Sequence, residues 1–403
     1  MRRCVSPSVS RAALLAILAC SACGGGLPPM SKSSVQQGYD PVAHGRALVL
    51  EYDCGACHGG GTNPAAKGWL AGANSPEDDN KIGPCALDAA AKPCFITRAR
   101  NLTPDNETGL GRYSERQIFN AVRHGLLVSS APDKEITSST PGQGNFPADP
   151  KYLAPPMPWM FWRHMSDQEL MAVAAYLKRG LKPVSNKVAP SDAPPDGWAS
   201  EFTPEKIGTY PPPAYPAAME VVPASADEAM QKKIARGRLM VIRHACGGCH
   251  GGPDPASETW LSGSRSERDN FKIGEFVTRP RNLTPDNVTG MGRFSERQIF
   301  NSLRFGLRPG ETPDVVITSM KPGEGNFPLN PKFLAPPMPW PAWRHMSDDD
   351  LWAIAAYLKH GVKPVRHKVE DSEGPPDFWA SAYFERLPPY PAVPFPTANE
   401  AAR

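Results

Sequence analysis

The chain has 403 residues, a formal net charge of +3, and 47 Pro and 35 Gly, with proline at more than twice its ~5% average usage. This length accommodates two or three domains, and so much proline predicts long ordered loops. No basic patch stands out, which argues against a nucleic-acid partner.

Residues 1–23 read as a signal peptide. Arg2, Arg3 and Arg11 precede the apolar run Ala12 to Ala19, whose eight residues fall far short of the ~20 that cross a bilayer. Ile17-Leu-Ala-Cys20 resembles a bacterial lipobox, so lipid at Cys20 is the expected membrane anchor, with Cys23 as the weaker alternative. Cleavage before Cys20 removes three basic residues and leaves 41 Lys and Arg against 41 Asp and Glu. Residues 24–40, small and polar, form a flexible tether.

The segment after it carries Cys54-Gly-Ala-Cys57-His58, repeated as Cys246-Gly-Gly-Cys249-His250. Cys-x-x-Cys-His is the attachment pattern of c-type haem. Cysteines three apart share one face of a helical turn, where both thiols can bond the two vinyl groups of one porphyrin, and the histidine can reach the iron. Half of a zinc site would need a second ligand pair, and a thioredoxin-like motif would need a strand-helix-strand context; the surroundings offer neither. Two covalently bound haem c groups are therefore expected.

The surroundings repeat too. The haem motifs recur at an offset of 192 and Lys81-Ile-Gly83 at 191, and then Arg100-Asn-Leu-Thr-Pro-Asp-Asn106, Ser114-Glu-Arg-Gln-Ile-Phe-Asn120 and Ala154-Pro-Pro-Met-Pro-Trp159 return 181 residues later. The change of offset marks an insertion of ten residues between Gly83 and Asn101 that brings Cys85 and Cys94, which should pair with each other in an exported protein. Domains are expected at 41–205 and 231–403, joined by a proline-rich linker at 206–230.

The pattern predicts an all-α fold with long Pro-rich loops. Helices at 43–58 and 234–250 lead into the motifs. Capping boxes at Ser114 and Ser295 open short helices, and final helices start at Ser166 and Ser347 and stop at Gly180 and Gly361.

A sixth iron ligand should occur in both halves, which leaves Met157/Met338, His164/His345 and Met165/Met346. Met165 and Met346 suit a hydrophobic staple with Leu170 and Leu351. Met157 and Met338, held in stiff Pro-Pro-Met-Pro-Trp loops, are the preferred ligands, with the other two pairs as alternatives. Arg100 and Arg281 are candidate partners of haem propionates, and Trp159 and Trp340 candidate pocket walls.

Haem motif, Asn-Leu-Thr-Pro-Asp, Ser-Glu-Arg-Gln-Ile helix, Pro-Pro-Met-Pro-Trp and closing Ser-Asp helix, in this order and twice over, resemble the class I cytochrome c domains of dihaem cytochromes c and of the cytochrome subunits of periplasmic dehydrogenases. The resemblance implies His/Met ligation by His58 with Met157 and by His250 with Met338. It implies a periplasmic electron carrier whose partners are a dehydrogenase, another cytochrome or a terminal oxidase. The competing reading is a dihaem redox enzyme, a peroxidase or a thiosulfate dehydrogenase, which needs an open or unusually ligated iron. Near-identical ligand loops in both halves speak against it.

Overall fold

The computed structural model describes residues 38–86, 90–384 and 387–402. The expected signal peptide, Cys20, Cys23 and most of the tether lie outside the described residues. In the first half the elements run α1 (Pro41–Glu51), α2 (Cys54–His58), β1 (Asn80–Ile82), β2 (Phe95–Thr97), α3 (Glu115–His124), α4 (Trp159–Trp162), α5 (Asp167–Ala175) and α6 (Pro204–Ile207). The second half runs α7 (Glu228–Arg243), α8 (Cys246–His250), β3 (Phe271–Ile273), β4 (Phe276–Thr278), α9 (Glu296–Phe305), α10 (Trp340–Trp343), α11 (Asp348–Ala356) and α12 (Ala380–Phe384). The chain is mostly helical, and its strands form two antiparallel two-stranded hairpins.

Local chemistry explains most boundaries. Asp40 caps α1 by accepting from the Val42 and Ala43 amides, and Ser114 and Ser295 close reciprocal capping boxes with Gln117 and Gln298, as the sequence predicts. The expected helices 43–58 and 234–250 are each broken, because Asp53 (φ 52°) and Ala245 (φ 59°) turn left-handed. That conformation costs a non-glycine residue ~1–2 kcal/mol, and it re-aims the Cys-x-x-Cys turn away from the preceding axis. The final helices do stop at Gly180 and Gly361, but through a wide π turn rather than a left-handed cap. A Cβ on Gly180 would lie 2.4 Å from the Tyr176 ring, so close approach is what requires the glycine.

The ten-residue insertion lengthens the β1–β2 hairpin, and Cys85 and Cys94 join within it. Its counterpart between β3 and β4 is the two-residue turn Gly274-Glu275.

In each half the first helix crosses the last, α1 on α5 and α7 on α11, with α3 or α9 packed beside the latter. Met165 is buried in one cluster with Leu170, and Met346 with Leu351, the arrangement a staple requires.

The described residues from Asp40 onward pack as one unit, and the contact between the halves is reciprocal. α1 touches α10 and α4 touches α7. Tyr52 and His244, which align in the repeat, stack at 4.5 Å, and each is flanked edge-on by its own half's tryptophan, Trp162 or Trp343. Arg243, 1% exposed, donates to both carboxylate oxygens of Glu169 at 2.9 and 3.0 Å and lies 3.9 Å from Glu51. Burial works to raise the Glu169 carboxyl, but Arg243 and the Ser166 amide more than reverse this and hold it below its ordinary value.

Breaking a buried pair from one side strands the other charge at a cost of about 3–5 kcal/mol. Arg243→Met is therefore expected to lower stability by about 3 kcal/mol in urea unfolding. Adding Glu169→Gln should recover part of the loss. A loss below about 1 kcal/mol would show that the pair is solvated.

Candidate functional site

The two motif turns are built alike. The carbonyl oxygen of Asp53 accepts from the Ala56 amide, and that of Ala245 from Gly248, closing one turn from each left-handed residue. This presents Cys54 and Cys57, or Cys246 and Cys249, from one short helix ending in its histidine. Neither pair is bridged, in contrast to Cys85 and Cys94. Burial pushes the Cys54 and Cys246 thiols up to about 12 and raises Cys57 and Cys249 as well, so all four stay protonated near neutral pH.

Both histidines are buried. His58 Nδ1 lies 2.6 Å from the Arg100 carbonyl oxygen and His250 Nδ1 2.7 Å from that of Arg281. A carbonyl only accepts, so Nδ1 carries the proton and the Nε2 lone pair is left for a ligand. Burial lowers both histidines below their ordinary pKa, against the pull of the carbonyl bond, and so keeps the imidazoles neutral. A neutral, oriented imidazole with its other nitrogen held by a carbonyl is what metal ligation needs.

The Asn-Leu-Thr segments exist to hold those carbonyls. Asn101 donates to the Val184 carbonyl at 2.7 Å and Thr108 Oγ1 at 3.0 Å, while its own oxygen accepts from the Thr103 amide; Asn282 repeats this with Val365, Thr289 and Thr284. The Arg100 guanidinium ties the Val188 and Ala189 carbonyls, and Arg281 the Glu370 carbonyl and the Asp371 carboxylate. Each arginine also supplies the backbone oxygen that holds the histidine ring, a role no side-chain pattern reveals.

Met157 and Met338 lie at matching turns, their amides donating to Ala154 and Ala335. Met338 packs on the cluster that also receives Cys246; Met157 is half-buried. Trp159 and Trp340 are buried, and the Trp159 indole Nε1 has no partner, an orphaned donor that a bound group's acceptor would satisfy. Neutral imidazole, paired thiols and a spare indole donor suit a covalently attached porphyrin. Among the described residues no three His, Cys, Asp or Glu side chains converge as a metal site, so the zinc alternative gains no second ligand pair. His164 and His345 lie edge-on to Tyr210 and Tyr390 at 5.3 and 5.6 Å. Burial and adjacent arginines push them down to about 3 and about 4.

No family model matches the chain. It is 28% identical over 358 residues to the gluconate 2-dehydrogenase cytochrome c subunit of Pantoea cypripedii, covering 81% of this chain and 61% of that protein. The likeness is to cytochrome c subunits. The cytochrome c subunit of the quinone alcohol dehydrogenase of Gluconacetobacter polyoxogenes is 28% identical over 289 residues, 68% of this chain and 49% of its own length. The fructose dehydrogenase cytochrome subunit of Gluconobacter japonicus is 25% identical over 271 residues, 66% and 45%. This chain thus spans about half to three-fifths of these relatives, and the likeness supports an electron-transfer cytochrome. Among the described residues no helix is long and apolar enough to cross a membrane.

One histidine outside the centres marks a difference between the halves. His124, which aligns with Phe305, is pushed down to about 4, first by burial and then by Arg123. Its folded pKa lies below its unfolded value, so the stability it contributes is present above pH ~6.5 and lost as pH falls towards 4. His124→Phe should shrink the stability difference between pH 7 and pH 5 by about 1–2 kcal/mol in urea unfolding. An unchanged difference would mean that His124 titrates normally.

Proposed function

We propose that the chain is a periplasmic dihaem c-type cytochrome, anchored by lipid at Cys20, that passes electrons between redox partners as a non-catalytic subunit or partner of a dehydrogenase. The observation that carries this reading is the carbonyl-oriented, neutral imidazole that follows each thiol pair, His58 on Arg100 and His250 on Arg281. Cys54 and Cys57 hold one haem and Cys246 and Cys249 the other through thioether bonds. His58 and Met157 would ligate the first iron, and His250 and Met338 the second. When bound, haem supplies reversible one-electron oxidation and reduction, and a thioether ligand raises its potential relative to a second histidine.

The protein's own part is to hold the ligands and keep reactants away. Two protein ligands on each iron leave no position for substrate, which favours a carrier over a peroxidase or a thiosulfate dehydrogenase. The halves surround their centres unequally. Asp53, half-buried and pushed up to about 7 by desolvation, stands before the first motif where the second has Ala245, so two different potentials are expected. Tyr52 and His244, each two residues ahead of its motif, bring the halves into van der Waals contact, which suits exchange within the molecule. The relatives named as subunits of gluconate, alcohol and fructose dehydrogenases make an oxidising enzyme of small hydroxylated compounds the proposed electron donor.

The mature protein's mass should include two haems, and Cys54→Ala with Cys57→Ala should remove one. The ferric protein should show methionine-to-iron charge-transfer absorption from both centres, with Met157→Ala and Met338→Ala each abolishing about half. Rapid peroxide turnover at a five-coordinate iron would overturn the carrier reading. Loss of the absorption only with Met165→Ala or Met346→Ala would reassign the sixth ligand.

A further inference from the structure

Beyond the motifs, one more repeat becomes visible in the structure. Tyr210-Pro211 through Glu220 returns as Tyr390-Pro391 through Glu400, and each segment starts on its own half and finishes on the other. Tyr210 OH accepts from Arg123 of the first half at 2.9 Å, and Tyr390 OH from Arg304 of the second at 2.7 Å. Ten residues on, Glu220 bridges to Val362 of the second half and Glu400 to Leu181 of the first. The Lys363 amide donates to the Met219 carbonyl and the Lys182 amide to Asn399.

Each glutamate ends fully inside the half it has crossed to. Glu400, 1% exposed, accepts from Arg46 Nε at 2.6 Å and from Tyr176 OH at 2.6 Å, while its other oxygen accepts from the Thr397 amide. Tyr176 OH in turn accepts from Trp69 Nε1 at 3.0 Å. Trp69 leaves no room above Gly55 of the first motif, where a Cβ would lie 2.4 Å from the indole. In the second half Glu220 accepts from Arg238 Nε at 2.7 Å and Tyr357 OH at 2.6 Å, Tyr357 accepts from Trp260 Nε1 at 3.0 Å, and a Cβ on Gly247 would lie 2.1 Å from Trp260. The crossing segment also grips the loop after the motif. Thr397 Oγ1 and Asn399 Nδ2 donate to the Pro64 carbonyl, and Asn399 Nδ2 to that of Ala66. The Met219 amide donates to the Pro255 carbonyl.

We propose that Glu400 and Glu220 are positioning residues exchanged between the halves, each fixing, through a tyrosine and a tryptophan, the Cys-x-x-Cys-His turn of the half it enters. In its effect on the iron this rests on the haem reading; in its effect on the turn it does not. Burial and the adjacent carboxylate hold Tyr176 and Tyr357 far above the ordinary phenol range, so both remain donors to the glutamate. The arrangement makes the first motif depend on a residue 354 positions beyond Arg46.

Amide hydrogen exchange on the full-length, haem-loaded protein tests the crossing. Glu400→Ala should speed exchange in residues 54–72 several-fold and leave 246–262 unchanged; Glu220→Ala should do the reverse. Glu400→Gln keeps an acceptor while removing a buried negative charge. It should restore most protection of 54–72 yet raise the first centre's reduction equilibrium constant several-fold, the centre being assigned with Met157→Ala. Loosening of both motifs by either variant, or of 246–262 by Glu400→Ala, would overturn the proposal, as would an unchanged first potential in Glu400→Gln. If the wild-type protein carries no haem by its absorption spectrum, the haem reading fails while the exchange pattern still decides the crossing.

Discussion

The bond from each motif histidine to a backbone carbonyl is the constraint on which the centres depend. An imidazole is useful as an axial ligand only when one nitrogen is committed elsewhere, because that choice sets both the tautomer and the ring's direction. Here the commitment is to the Arg100 and Arg281 carbonyls, which are held in turn by a buried asparagine that spends both donors and its acceptor on the neighbouring loops. The long segments between helices are therefore not slack. They form a chain of hydrogen bonds ending at one ring nitrogen, and burial of the ring adds the desolvation that keeps it neutral.

The same economy governs how the halves meet. A duplicated chain could have joined its copies through an apolar patch. Instead the contact centres on one buried guanidinium shared by Glu169 and, at longer range, Glu51, beside a stack of two aligned rings. A buried ion pair adds little net stability over an apolar contact of the same shape, but it penalises misalignment heavily because any shift strands a charge. Such a contact specifies geometry, and so fixes how the two Cys-x-x-Cys-His turns sit relative to each other. The crossing segments add a second specification, since each half is completed by residues that the repeat assigns to the other.

Asymmetry appears where the duplication has been edited. The stapled hairpin of Cys85 and Cys94, Asp53 in place of Ala245, and His124 in place of Phe305 all fall in the first half. Each changes local charge or rigidity while the backbone of the motif turn is kept, since Asp53 and Ala245 cap it in the same left-handed conformation, so the two motifs share a frame while differing in surroundings.

The two Cys-x-x-Cys-His motifs, the helix caps, the Cys85–Cys94 bridge and the staple methionines are local features, fixed by residue type and spacing within a few positions, and the sequence alone determines them, as it does the internal repeat. Tertiary structure decided the rest. The left-handed breaks at Asp53 and Ala245 run against local propensity, and are tolerated because surrounding contacts outweigh ~1–2 kcal/mol of strain. That Arg100 and Arg281 hold the histidine rings through their carbonyls is encoded by no side-chain pattern, since every residue has the same carbonyl. The crossing of Glu220 and Glu400 could have been suspected from the repeated Tyr-Pro segments. Which half each entered depended on non-local pairing between distant parts of the chain, and only the packed molecule records that.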